Sequence, residues 1–398
     1  MTKTQSKWAA ILAALIFLIT LNLRPAITVV GPLIGDIGEA ASLNNSMLGL
    51  LGALPLIAFA LISPLVHHPA SRWGMERTIL ISMFVLAAGL IIRSYTGNVG
   101  LWVGTAIIGC AIAVGNVLVP AIVKRDYANH ISLATGIYSA VISVGAGVAA
   151  GLAVPIADRR GLEFSLAVWA APVVLVAIVW IARTRTVIAV AEDAIINEHI
   201  EATIWRNPTA WLVTAFFAVQ STMFYISITW LPTIEMSNGL SARQAGLNLF
   251  IFQMVAIVSS LAVPRIMRRP ENLLAAGLSS SAAWLIGFIG LLLLPEYGTL
   301  WVIIAGLGSG ASLVVALALI SFRGRNPHET TQLSGMAQSL GYLFAASGPI
   351  VCGVLAQQTG SWDAALIVMI ALGIALTLVS ILAGKDRREV SVSQGSQR

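Results

Sequence analysis

Charge is what this sequence most lacks. Only 10% of its 398 residues are Asp, Glu, Lys or Arg, against about 25% in an ordinary soluble domain. That deficit excludes a soluble enzyme with a large core. With 58% hydrophobic residues and a mean hydropathy of +0.88, the chain reads as a polytopic membrane protein. Its two cysteines, Cys110 and Cys352, both fall in apolar runs, so no disulfide framework is expected. No GxxxxGK[ST] segment is present, which removes the usual cradle for ATP phosphates. His67 and His68 stand without cysteines or carboxylates at ligand spacing, so no metal centre is expected. No cofactor is expected either. No Ser–His–Asp or Cys–His set falls at membrane depth, so the chain is not read as an enzyme. The formal charge of +6 does not call for nucleic acid, because the cations collect in loops on one side.

What is present is a series of apolar runs long enough to cross about 30 Å of hydrocarbon. They lie near 8–34, 45–66, 78–95, 99–123, 131–156, 165–183, 208–233, 243–264, 273–294, 299–322, 332–356 and 363–384. Such uniform runs are helices, because backbone polar groups in lipid must pair within the segment. The fold class expected is therefore an all-α membrane protein of twelve spans. The first run has a basic front, Lys3 and Lys7, yet it is longer than a signal-peptide core. It is read as an uncleaved helix. With the N-terminus inside, eighteen of the 23 Lys and Arg residues fall on the inner side. That excess places both termini in the cytoplasm, with Arg93, Arg159, Arg160 and Arg243 on the outer side.

The expected domains are a first six-helix bundle (1–183), a linker (184–207), a second bundle (208–384) and a tail (385–398). An internal repeat supports this division. A shift of 199 residues brings Trp102 onto Trp301, Val103 onto Val302, Gly109 onto Gly308, Lys124 onto Arg323, Gly136 onto Gly335 and Gly161 onto Gly360. Six spans per unit keep the two units parallel.

Within "ITLNLRPAITVV" sits Arg24. A charge at that depth costs about 2.5–3.5 kcal/mol on insertion scales. Lys7 and Asp36 lie about 25 Å and 18 Å away along a helix, too far for the side chain to snorkel out. Every carboxylate is placed in a loop or at a helix end, so no acidic partner is expected at its depth. Thr20, Arg24, Thr28 and Gly31 share one helical stripe, which is read as facing a central cavity. Pro25 is expected to kink the helix there. A guanidinium offers five donors in a planar fork suited to carboxylate-like anions. Other polar residues at depth are candidate cavity lining: Asn116, Tyr138, Gln220, Tyr225, Gln253, Gln338 and Tyr342. For each, an interhelical hydrogen bond worth about 0.6 kcal/mol is the rival role. Trp230, two residues before Pro232, is read as a gate at the outer end of span seven, or as an interfacial tryptophan.

Several stretches resemble one family: "LNLRPAIT" in span one, "LPLIAFALISPL" then "RWGMER" around span two, "GNVLVPAIVKRD" ending span four, "WLP" in span seven and "SGMAQSLGYLFAASGP" in span eleven. Together they resemble the major facilitator superfamily, and within it the cyanate permease and 2-nitroimidazole transporter family, nearer the latter branch. The resemblance implies two parallel six-helix repeats working by alternating access. Spans one, four, seven and ten, with five, eight and eleven, would border the cavity. It further implies a bacterial inner-membrane location, a monomer, and a small planar anionic or weakly acidic solute that is exported. The alternatives are a broad-specificity drug efflux pump and a small organic-anion uptake permease. The superfamily's loop motif is partly kept in Arg72, Gly74 and Arg77, but His67 and Ser71 depart from it.

Overall fold

The structure is a computed structural model that describes residues 14–127, 131–186, 204–267, 272–324 and 327–384. Most of the linker and the whole tail expected from the sequence lie outside the described residues. Among the described residues twelve helices are long and apolar enough to cross a membrane. Spans one to six are Ala14–Ala41, Asn45–Leu65, Met75–Tyr95, Gly97–Asp126, Gly136–Arg160 and Leu162–Thr184. Spans seven to twelve are Pro208–Ser237, Ala242–Ile266, Leu273–Leu293, Pro295–Arg323, Gln332–Thr359 and Asp363–Ala383. The commonest departure from the sequence reading is length: span one runs seven residues further than expected, because Ile34–Ala41 continues as helix.

Spans one to six pack mainly among themselves, as do spans seven to twelve. Two long seams join the sets, span two against span eleven and span five against span eight. The repeat has a backbone counterpart. Gly161 and Gly360 both take positive φ, +90° and +69°, at the turns leading into spans six and twelve. Only glycine enters that region without strain.

An even number of spans puts the described ends of the chain on one face, the terminal face. At the opposite, far face the seams close on glycine. A Cβ at Gly31 would overlap the Ile228 carbonyl of span seven, one at Gly49 the Pro349 carbonyl, and one at Gly353 the Asn45 carbonyl. At Gly52 it would come within 2.8 Å of Thr229 Cγ2. Small residues let backbones approach this closely, which replaces the missing hydrophobic drive between helices in lipid.

Span one is not a continuous rod. It breaks at Leu23–Arg24, resumes as Pro25–Thr28, and turns through the 3-10 stretch Gly31–Leu33. Pro25 causes the first break, since it has no N–H to give the carbonyl four residues earlier. That carbonyl, on Leu21, packs where a Cβ on Gly145 of span five would sit. At the second break Val30 N–H bonds Ile27 O rather than Ala26 O.

The freed Ala26 carbonyl is taken by a residue that the sequence reading placed on the outer side. Arg93 of span three is 3% exposed. Its Nη1 donates to Ala26 O at 2.5 Å and its Nη2 to Leu166 O at 3.2 Å. Leu166 lies where span six breaks between Leu162–Ala167 and Ala170–Thr186. One guanidinium thus satisfies the loose carbonyls of two broken helices. Each such charged bond is worth about 1.5–3 kcal/mol net. Arg93→Met is therefore expected to cost about 3 kcal/mol, seen as a lower thermal unfolding midpoint in detergent. An unchanged midpoint would mean that the breaks hold themselves.

Candidate functional site

Arg24 sits at the first break of span one, where its own carbonyl accepts from Ile27 N–H and Thr28 N–H at 3.0 and 3.1 Å. The break lifts its side chain out of the helix row. The guanidinium is half-buried, and Nη1 donates to the Tyr225 hydroxyl of span seven at 2.7 Å. It lies 5.5 Å from the Phe224 ring centroid and 5.4 Å from that of Tyr225. Cation–π attraction at these distances adds about 0.5–2 kcal/mol. Tyr138 of span five is half-buried and packs against the hydrophobic core. Among the described residues no carboxylate pairs with Arg24.

Around it stands an aromatic wall. Tyr342 of span eleven meets Phe59 of span two at 5.6 Å, Phe217 of span seven at 5.5 Å and Tyr225 at 6.3 Å, all edge-on. Phe224 meets Tyr225 at 5.2 Å. Edge-to-face pairs favour rigid placement of the rings. The sequence reading found the three tyrosines and missed Phe59, Phe217 and Phe224. The signal was there for two of them: Phe217 and Phe224 are seven residues apart and share a face of span seven.

The remaining candidates divide. Thr20 and Thr28 do not offer free hydroxyls. Thr20 is buried and bonds Ile16 O at 3.0 Å. Thr28 bonds Ala146 O of span five at 3.0 Å as well as Arg24 O. The expected stripe fails because the helix breaks in its middle, so Gly31 turns to span seven and Thr28 to span five. Gln220 is buried and donates from Nε2 to its neighbour Ser221 at 2.7 Å. Gln338 is half-buried and bonds Ser334 at 2.8 Å. Asn116 Nδ2 and Gln253 Nε2 are buried donors without a protein partner, as a lining awaiting an acceptor would be.

Trp230 is not an interfacial tryptophan. It is fully buried, donates to Pro349 O at 2.9 Å and packs on Trp362 at 4.6 Å. Both partners belong to spans seven to twelve, so its bonds stay within that set. Gly74 takes φ +82°, while Arg72 and Arg77 are exposed. The ionic cluster near this loop runs elsewhere. Arg125 pairs with Glu76 and, at 2.9 Å, with Asp126, while Arg183 pairs with Asp126. Trp180 Nε1 also donates to Glu76 O at 3.0 Å. These residues tie spans three, four and six together.

Arg24 is also not the one charge drawn inside. Besides Arg93 and Arg183, Glu235 of span seven is 1% exposed, although its sequence position suggested an open helix end. Its Oε1 accepts from Asn248 Nδ2 at 2.6 Å, and Thr299 Oγ1 donates to Asn248 Oδ1 at 3.1 Å. Its Oε2 has no partner.

Comparison with known proteins agrees with this architecture. Residues 11–349 match the Major Facilitator Superfamily model. The chain is 34% identical over 389 residues to a 2-nitroimidazole transporter of Escherichia coli, covering 97% of this chain and 98% of that one. It is 26% identical over 353 residues to the cyanate transport protein CynX of the same organism, covering 87% and 90%. Among solved structures, the nucleoside transporter NupG superposes with a TM-score of 0.76 at 14% identity, covering 94% of this chain and 99% of that one. Twelve spans in this arrangement, together with these matches, make the chain a transporter of the Major Facilitator Superfamily, in the family of the 2-nitroimidazole and cyanate transporters.

Proposed function

We propose that this transporter exports a small planar anionic or weakly acidic solute by alternating access, with the central site at Arg24. The observation that supports this is a guanidinium that pairs with no carboxylate among the described residues and instead donates to the Tyr225 hydroxyl beside the Phe224 and Tyr225 rings. A nitro group or carboxylate matches its fork, and a flat ring matches the aromatic wall. The transporter relatives' names, for nitroimidazole and cyanate, point the same way. In this reading two bodies, 1–183 and 208–384, rock about the site. The terminal face is cytoplasmic, the membrane is a bacterial inner membrane, and the protein works as a monomer. The sealed far face then belongs to the state that loads from the cytoplasm.

Purified protein tested for thermal stabilisation by 2-nitroimidazole, cyanate, benzoate and a lipophilic cation decides among the readings. The planar acids are expected to stabilise it and the cation not. Stabilisation by the cation would favour a broad-specificity efflux pump. Uptake of benzoate by intact cells would favour an organic-anion uptake permease.

A further inference from the structure

The Arg24–Tyr225 hydrogen bond joins span one to span seven, and so joins the first six spans to the last six. Among the described residues of the central and far parts of the molecule, one other side-chain pair crosses in this way, Ser46 Oγ to Gln357 Oε1 at 2.7 Å. That pair is exposed, where water competes for both partners. The far seal is otherwise backbone packed on glycine. Tyr225 is 2% exposed and held between Phe224 and Tyr342, so its hydroxyl is presented by a stiff frame rather than a loose side chain.

A phenol oxygen is a neutral acceptor. A carboxylate oxygen is a charged one, and charge-assisted bonds are about twice as strong. An oxyanion arriving at Arg24 therefore outcompetes Tyr225 for Nη1, and the freed phenol can turn its own O–H to the solute. We propose that the Tyr225 hydroxyl stands in for the substrate oxyanion in the empty site, and that its hold on Arg24 restrains reorientation of the empty carrier. This rests on the anion reading given above. It makes Tyr225 a positioning residue that selects for solutes able to displace a phenol. It also gives a reason for exchange to outrun net transport: the loaded protein has lost the link, and the empty one keeps it.

Two measurements test this. In proteoliposomes, labelled 2-nitroimidazole exchange is compared with its net passage from the far face to the terminal face, the direction in which the empty carrier must leave the sealed state. Wild type should exchange faster than it carries out this net passage by about fivefold or more, the usual size of a coupling between sites. Tyr225→Phe should bring the two rates together by raising the net rate. A ratio unchanged in the variant would overturn the proposal.

The second needs no solute. Spin labels at Ala40 and Gln358, both exposed on the far face, report its opening in empty protein lacking Cys110 and Cys352. Tyr225→Phe should widen their distance distribution relative to wild type. Arg24→Met, which removes the same bond from the other side, should widen it equally. Identical distributions in wild type and both variants would overturn the link whatever the solute is. If instead the labels respond but no planar acid stabilises wild type, the link stands and the anion reading fails.

Discussion

Arg24→Ala is expected to lower affinity for a planar acid about 10–100-fold, equivalent to losing one charged hydrogen-bonded contact of about 1.5–3 kcal/mol. The loss should exceed that from any other single lining residue, because the side chains in contact with the guanidinium, Tyr225 and Phe224, bring no formal charge of their own. Arg24→Lys keeps the charge and gives up the planar two-point fork, so it should recover part of the binding of cyanate and less of that of a carboxylate. Titration calorimetry of inserted, correctly folded variants reads both. Undiminished binding by the alanine variant would leave the guanidinium a structural cation held by Tyr225 and the rings of span seven.

The second large effect is conformational. At Gly31 an added side chain meets the Ile228 carbonyl, which is backbone and cannot rotate aside. Overpacking of this kind costs about 1–3 kcal/mol, paid only while the far face is sealed. Gly31→Val should therefore move the population towards a state open at that face. Thr229, 6% exposed and packed on Gly52 across the seam, is the place to look. A Thr229→Cys reporter, with Cys110 and Cys352 replaced, should react with an impermeant thiol reagent about tenfold faster in the Gly31→Val background, the change that 1.4 kcal/mol produces. An equal rate in both backgrounds would show that span one yields without opening the seal.

These two residues also show what a sequence does and does not disclose. Twelve spans and their rough limits were legible, because hydrocarbon thickness acts on every residue in the same way. The tyrosines at the site were legible as polar groups at depth. The stripe through Thr20, Thr28 and Gly31 misled, because it assumed a helix that Pro25 and the turn at Gly31–Leu33 interrupt. Arg93 and Glu235 misled for another reason. Both lie near helix ends, where sequence position suggests water, and both are covered by neighbouring spans. Burial by a distant segment leaves no mark in local composition. The seal itself was visible only as a glycine surplus, since which glycine faces which carbonyl depends on how the two sets of spans dock.

The divided first span has one more consequence. A straight helix would swing its guanidinium with every tilt of its far end. Here the far piece is moored to spans three and five by hydrogen bonds through the Ala26 carbonyl and the Thr28 hydroxyl, while the described part of the piece before Arg24 meets its neighbours by packing alone, Leu21 on Gly145, Leu23 on Gly115 and the Phe17 ring on Tyr127. Arg24 stands at the joint between them, so tilting of the near piece turns the side chain about its own backbone rather than dragging it along the axis. On the function proposed above, the anion-gripping group is thus mounted on a pivot, and a solute held there need travel little while the walls change sides around it.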